Sequence, residues 1–377
     1  MLKMRQGFSS KWLAIGCLIY GFSAVAASET APAPATTPAT ENPAAADNRP
    51  FIGVILPLQS KTLGPLADAI KAGMNAAVAL DAANATPVRF YPANEQTDDV
   101  LFVYRQARDE GARVIVGPLT KPAITELSKS DLVSLPTIVL NTLEPGSKAS
   151  PSLYTFGLGI DSEARQIARQ AFAEGKRLAL SVALDSAFSK RLQTAFNEEW
   201  KQLGGELLEL QLNTNRPNYS LVRSLREENG PDMAFVALDA KKAKALRPYL
   251  GELPVYATSQ ISNGRPNSGT MRALAGVAYV EMPWFLDPKA ANVAKFARPA
   301  KPLHIDVERM YVFGIDAYRL AVALAQLPAD KPAGKLLLDG VSGKIELGPQ
   351  RSFVRTALPS VIGSGEGPAE NSEPNDQ

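Results

Sequence analysis

Short apolar runs alternate with amphipathic stretches along most of this chain, and that alternation restricts its fold more than any other property. FIGVILPL (51–58), VRFYPA (88–93), RVIVGPL (113–119) and PTIVLN (136–141) read as strands. RLALSVAL (177–184), ELLELQL (206–212), MAFVALD (233–239), PVYATS (254–259) and GVAYVEM (276–282) form a second set. Several are apolar at nearly every position, as parallel strands covered on both faces must be. Between them the period changes to that of a helix. In residues 63–80, Leu66, Ile70, Met74, Ala77 and Leu80 recur at three- and four-residue steps. In residues 161–175, Ala164, Ile167, Ala168, Ala171 and Phe172 do the same, with Asp161 or Ser162 placed to cap the start and Gly175 the end. Residues 189–205 repeat the pattern with Leu192, Phe196, Trp200 and Leu203, closing on Gly204 and Gly205.

Strand and helix repeated in this way build parallel α/β sheets. One large doubly wound sheet is an alternative, but so many strands usually divide into two. LYTFGLGIDSEA (153–164) and EMPWFLDP (281–288) are the expected crossings, the second marked by Pro283 and Pro288. Residues 307–327 form a long amphipathic helix, and LDGVSGKIELGPQRSFVR (338–355) reads as a closing hairpin with Gly343 and Gly348 at its turns. The expectation is an α/β protein of two lobes, each a mainly parallel sheet flanked by helices. Lobe 1 takes residues 51–156 plus 285–335, and lobe 2 takes 157–284 plus 336–362.

The ends have a different composition. Lys3, Arg5 and Lys11 precede an apolar stretch from Trp12 to Phe22, and Ala24-Val25-Ala26 suits cleavage before Ala27. Residues 1–27 therefore read as a signal peptide, with an apolar run shorter than the ~20 residues a spanning helix needs. In a second reading, Ala14-Ile15-Gly16-Cys17 resembles a lipobox, with Cys17 as the acylated residue. Residues 28–50 are rich in Ala, Pro and Thr and read as a linker; 363–377 read as a disordered acidic tail.

The residue inventory excludes several kinds of chemistry. Cys17 is the single cysteine, so a chain cleaved after it has no thiol nucleophile, disulfide or Cys-bound zinc. His304 is the single histidine, in PLHIDVERM, without the partners that a catalytic triad or a zinc motif needs. No phosphate loop is present, and no cofactor is expected. A formal net charge of +2 gives no electrostatic reason for a nucleic-acid partner.

Ligands of two-lobed α/β proteins sit against loops at the carboxyl ends of strands. Three loops qualify. Gln59, Ser60, Lys61 and Thr62 lead from the first strand into a helix, where backbone N–H groups, hydroxyls and the Lys61 charge suit an anion. Asn141 and Thr142 follow the fourth strand; Thr258, Ser259 and Gln260 follow VYA, with Tyr256 and Trp284 as stacking surfaces. Each also has a plainer reading. Ser and Thr before helices are caps, Asn141 closes a turn, and Asp316 in FGIDAY anchors a helix turn.

The order of VGPL, PTIVLN, YTFGLGIDSEARQIARQAFAEGKRLALSVALD, the helix ending in Gly204-Gly205, and NYSLVRSLREENGPDMAFVAL resembles the type I periplasmic-binding-protein fold. LPVYATSQISNG (253–264), GVAYVEMPWFLDP (276–288), ERMYVFGIDAYRLA (308–321) and LDGVSGKIEL (338–347) are similar to the penicillin-binding protein activator family of LppC/LpoA type. The resemblance covers about 51–360. It implies a periplasmic or outer-membrane protein that performs no chemistry and stimulates a class A penicillin-binding protein in peptidoglycan synthesis. The alternative within the same fold is a solute receptor feeding an ABC transporter, with an amino acid or small amide in the cleft; Thr142 and Glu144 partly match such a site.

Overall fold

The computed structural model describes residues 49–80, 82–144, 146–147, 150–327 and 335–363. The expected signal peptide with Cys17, the linker up to residue 48 and the tail beyond Gly363 lie outside the described residues.

In chain order the first elements are β1 (Phe51–Leu56), α1 (Gly64–Leu80), β2 (Val88–Pro92), α2 (Thr97–Asp109), β3 (Ala112–Val116), α3 (Lys121–Lys129), β4 (Thr137–Val139) and β5 (Leu153–Phe156). Then come α4 (Ile160–Ala173), β6 (Leu178–Leu184), α5 (Ala187–Gln202), β7 (Glu206–Leu212), α6 (Ser220–Asn229), β8 (Met233–Ala237), α7 (Ala240–Leu250) and β9 (Val255–Ala257). The chain closes with α8 (Gly269–Arg272), β10 (Ala278–Glu281), α9 (Pro283–Leu286), α10 (Ala291–Ala294), α11 (Ile305–Ala325), β11 (Leu337–Asp339), β12 (Lys344–Leu347), β13 (Ser352–Thr356) and β14 (Leu358–Val361).

The strands form two sheets. An eight-stranded sheet runs β11-β12-β13-β5-β4-β3-β1-β2, and a six-stranded sheet runs β14-β10-β9-β8-β6-β7. Both are mainly parallel, because helical crossovers return the chain to the same edge each time. The apolar runs at β1, β3, β6 and β8 are buried along most of their length, with a helix layer on each side. This is the two-lobed type I periplasmic-binding fold, one lobe around each sheet. Among the described residues no helix is long and apolar enough to cross a membrane.

The sheets correct the expected division of the chain. Residues 336–362 are expected in lobe 2, yet β11, β12 and β13 belong to the eight-stranded sheet and only β14 crosses over. The physical reason is a non-local pairing. β13 lies parallel to β5, with Ser352 opposite Thr155 and Phe353 opposite Phe156. Phe353 packs on Tyr154 and Phe156, which puts its ring in the first lobe's core. LYTF, expected as part of a crossing, supplies β5 itself.

Helix faces follow the expected period with local shifts. The buried side of α1 is Ala67, Ala69, Ile70, Gly73, Met74 and Ala77, while Leu80 is 46% exposed. Gly73 stands on this side because α11 crosses it there backbone to backbone. A β-carbon on Gly73 would lie 1.9 Å from the Tyr311 carbonyl oxygen, and one on Gly314 would lie 2.1 Å from that of Ile70. Helix α4 starts without a side-chain cap. Gly159, in the left-handed region at φ 49°, is its N-cap, and Asp161 instead pairs with Arg191 of α5 at 2.8 Å.

Candidate functional site

The carboxyl ends of the strands in each sheet carry the loops expected to bind a ligand, and two hollows among the described residues lie there, one in each lobe. In the first lobe the hollow measures about 10 Å³ and is lined by Ile55, Leu56, Ala93, Pro118 and Thr120 among others. In the second it measures about 170 Å³, between the starts of α5 and α7, with Leu184, Leu192, Ala237 and Leu238 as walls and Phe188, Asp239, Lys242 and Gln260 around them. Neither is lined by residues of both lobes. Drug-sized ligands fill pockets of roughly 300–1,000 Å³. The larger hollow is close to the roughly 150 Å³ of a cavity that holds a single benzene ring.

The expected binding residues divide between exposed loop and core. Ser60 caps the turn entering α1: its Oγ accepts from the backbone N–H groups of Thr62 (3.1 Å) and Leu63 (2.8 Å). The same hydroxyl donates to Glu95, so a carboxylate already faces the proposed anion position. Gln59, Lys61 and Thr62 are exposed around it. Asn141 closes a turn, donating from Nδ2 to the Leu119 carbonyl (3.2 Å) and accepting from the Thr142 N–H (2.9 Å). Strand β3 separates the Ser60 loop from the Asn141 loop.

The aromatic pair lies in the cores. Trp284 is fully buried, donates from Nε1 to Glu308 at 2.7 Å, and has the Arg298 guanidinium 3.7 Å from its ring centre. Tyr256 packs in the second lobe and donates its hydroxyl to Glu174 at the end of α4. Neither is a stacking surface for a cleft ligand, because apolar area at a strand end is buried wherever a helix covers it. Burial, helped by the Glu174 hydrogen bond and charge, raises the Tyr256 phenol well above its ordinary range; burial and Glu110 do the same to Tyr91. The folded chain keeps these protons at a pH where the unfolded chain loses them. Stability is therefore full below the ordinary tyrosine value of about 10 and falls as pH rises above it. Ultraviolet titration of tyrosinate should show late-titrating groups, one fewer in Tyr256→Phe, with a shallower alkaline loss of stability in that variant. Titration of every tyrosine at the ordinary value would contradict this.

Thr258 and Ser259, expected in a ligand-binding loop, are also buried, within a charged network that sequence reasoning did not single out. The Ser259 N–H donates to Glu163 Oε2 at 3.0 Å and its carbonyl accepts from Arg309 Nη2 at 2.8 Å. Glu163, on α4, pairs with Arg355 of β13; Arg309, on α11, pairs with Glu281 at the end of β10 at 2.5 Å. All four charged side chains are at most 6% exposed. Arg355 also donates to the carbonyls of Ser342 (2.9 Å) and Leu158 (2.8 Å). Ser342 in turn is held by Asp316, whose carboxylate accepts from the Val341 N–H and from the Ser342 N–H and hydroxyl, and pairs with Arg319 at 3.0 Å. Asp316 thus anchors a turn remote in sequence as well as its own helix. Burial raises the Glu281 and Asp316 carboxyls, against the pull of Arg309 on the first and of Ser342 and Arg319 on the second.

His304 caps α11, its Nδ1 accepting from the Asp306 N–H at 3.4 Å, and its side chain is largely exposed. Of the residues around the larger hollow, sequence reasoning places only Gln260 in a binding loop, but a signal for the others exists. VALDS (182–186) and VALDA (236–240) each end a strand on a helix cap, with Ser186 and Asp239 as the capping side chains. Two such caps after neighbouring parallel strands mark one rim.

Comparisons with known proteins place this geometry. A family model described as "LppC putative lipoprotein" matches residues 46–226 and 223–357. The penicillin-binding protein activator LpoA of Glaesserella parasuis is 25% identical over 316 residues, covering 81% of this chain and 52% of its own length. The chain spans about half the length of the curated relatives it matches. Among solved structures, a "putative branched-chain amino acid ABC transporter" from Chromobacterium violaceum superposes with a TM-score of 0.72 at 35% identity, covering 83% of this chain and all of that one. The C-domain of LpoA (YraM) from Haemophilus influenzae, a regulator of PBP1A, superposes at 0.69 with 23% identity, over 84% of this chain and 98% of that one. The matched segments run without a gap from 46 to 357, through both sheets and the junction between them, and the chain belongs to the LppC family.

Proposed function

We propose that this chain is a regulator of a class A penicillin-binding protein, a periplasmic protein that binds the synthase and stimulates peptidoglycan synthesis without performing chemistry itself. The observation that carries the reading is the size and lining of the two hollows described at the strand ends. The hollows there are small and each belongs to a single lobe, which suits side-chain contacts with a protein better than enclosure of a solute. The named activators among its relatives, and the single histidine acting as a helix cap, support the same reading. Gln59, Lys61, Thr62 and Thr142 stay in it as partner-facing side chains. Export through residues 1–27, or retention at the outer membrane through an acylated Cys17, both deliver the chain to that partner. The intact mass of the mature protein separates the two.

Mature chain added to its cognate class A synthase should raise the rate of glycan polymerisation or of crosslinking. Absence of both binding and rate change with that synthase would overturn the proposal.

The second reading, a receptor for an amino acid, is favoured by the 35% identity to the protein from Chromobacterium violaceum. A ligand at a hundred times its dissociation constant would add about 2.7 kcal/mol of stability. The regulator reading expects no thermal shift with amino acids or small amides.

A further inference from the structure

Two-lobed binding folds commonly close around ligands by bending at the few residues that join the lobes. Three segments join them in this chain: 157–159 between β5 and α4, Met282 between β10 and α9, and Ala357 between β13 and β14. Each is tied by hydrogen bonds to a different part of the molecule. Leu158 gives its carbonyl to Arg355 at 2.8 Å. The Met282 N–H donates to Glu281 at 3.0 Å, and the next N–H along the chain, that of Trp284, donates to the Val341 carbonyl at 3.1 Å. Both polar backbone groups of Ala357 are taken by one side chain, Gln166 of α4, at 2.8 and 3.1 Å.

The buried charges have a consistent direction. Both acids, Glu163 and Glu281, come from the side of the six-stranded sheet, and both bases, Arg309 and Arg355, from the side of the eight-stranded sheet. Ser259 joins the two pairs through its backbone. A bend between the lobes moves both of these acids relative to both of these bases at once. It also turns backbone dihedrals whose N–H and C=O groups are already held. We propose that this network fixes the angle between the lobes, so that the chain is a rigid two-lobed platform and not a clamp that closes on a solute. The inference goes beyond the proposed partner and holds or fails independently of it.

Distance measurement between nitroxide labels tests it. Cysteines replace Glu126 on α3 and Lys244 on α7, one in each lobe, in a chain carrying Cys17→Ser. The expected result is one narrow distance distribution, unchanged by saturating mixtures of amino acids. A broad or two-population distribution, or a shift on adding amino acids, overturns the proposal. Arg309→Met and the milder Gln166→Ala, each checked for fold by circular dichroism, should widen the distribution about twofold. Gln166→Ala removes only a neutral side chain, so it decides the matter if Arg309→Met does not fold. An unchanged narrow distribution in folded variants means that the network is not what holds the lobes, and overturns the proposal equally.

Discussion

Replacing Arg355 by methionine is expected to lower the stability of the chain by about 3–5 kcal/mol, because it leaves Glu163 charged and buried without a counter-ion. Glu163 is 4% exposed, and besides Arg355 its carboxylate accepts from the Ser259 N–H. The substitution also strips the Ser342 and Leu158 carbonyls of their donor. Ser342 is fully buried, so water does not replace the bond to its carbonyl. The gain in apolar contact is small beside that loss. Joint replacement of Glu163 and Arg355 by methionine should cost less than Arg355→Met alone, since no unpaired charge remains. Urea unfolding followed by tryptophan fluorescence and far-ultraviolet circular dichroism measures both. A loss below about 1 kcal/mol for the single variant would show that the pair is solvated in the folded chain, as surface pairs are.

A comparable loss is expected where α1 and α11 cross, with a sign opposite to helix propensity. Gly→Ala inside a helix ordinarily stabilises by about 1 kcal/mol. Gly73→Ala and Gly314→Ala should each destabilise by about 3 kcal/mol, since each β-carbon would overlap a backbone carbonyl of the other helix. Backbone cannot rotate away as a side chain can, so the helices must separate. Separation loosens the core that both helices cover, including the stack of Phe313 on Phe156 at 4.6 Å. Gly64→Ala is the control on the same helix: its nearest neighbour would be 3.8 Å away, and its stability should be unchanged or slightly raised. Thermal unfolding of the three variants distinguishes the crossing from a general intolerance of change in α1.

The strand–helix alternation was legible because burial on both faces demands apolar residues at consecutive positions, as in LALSVAL. Pairing between distant strands has no such local mark. Nothing in SFVRT says that it will lie beside LYTF, and the lobe assignment of 336–362 failed for that reason. The charged junction was hidden by the same logic. Glu163 in DSEAR and Arg309 in VERM look like solvated helix residues, and only the fold brings them to opposite charges. Tyr256 and Trp284 misled in the other direction, since a large aromatic near a strand end is equally suited to a ligand and to a core. Ser60 and Asn141 take their plainer roles, cap and turn, because the Ser60 cap bonds and one of the two Asn141 bonds are made within a few residues.

The place of β13 in the first sheet bears on the order in which the chain acquires structure. The strand is interior, between β12 and β5, and the Thr155 hydroxyl donates to Ser352 Oγ at 3.0 Å across 197 positions of sequence. β14, one residue further on, closes the edge of the other sheet. A chain that emerges amino terminus first therefore completes neither sheet until its last strands are free. Contacts of such long sequence separation slow folding. Until then β5 presents an open edge to its surroundings, the kind of surface that invites pairing with other chains. Truncation before residue 352 should accordingly give an aggregation-prone product with both lobes compromised, rather than a smaller folded protein.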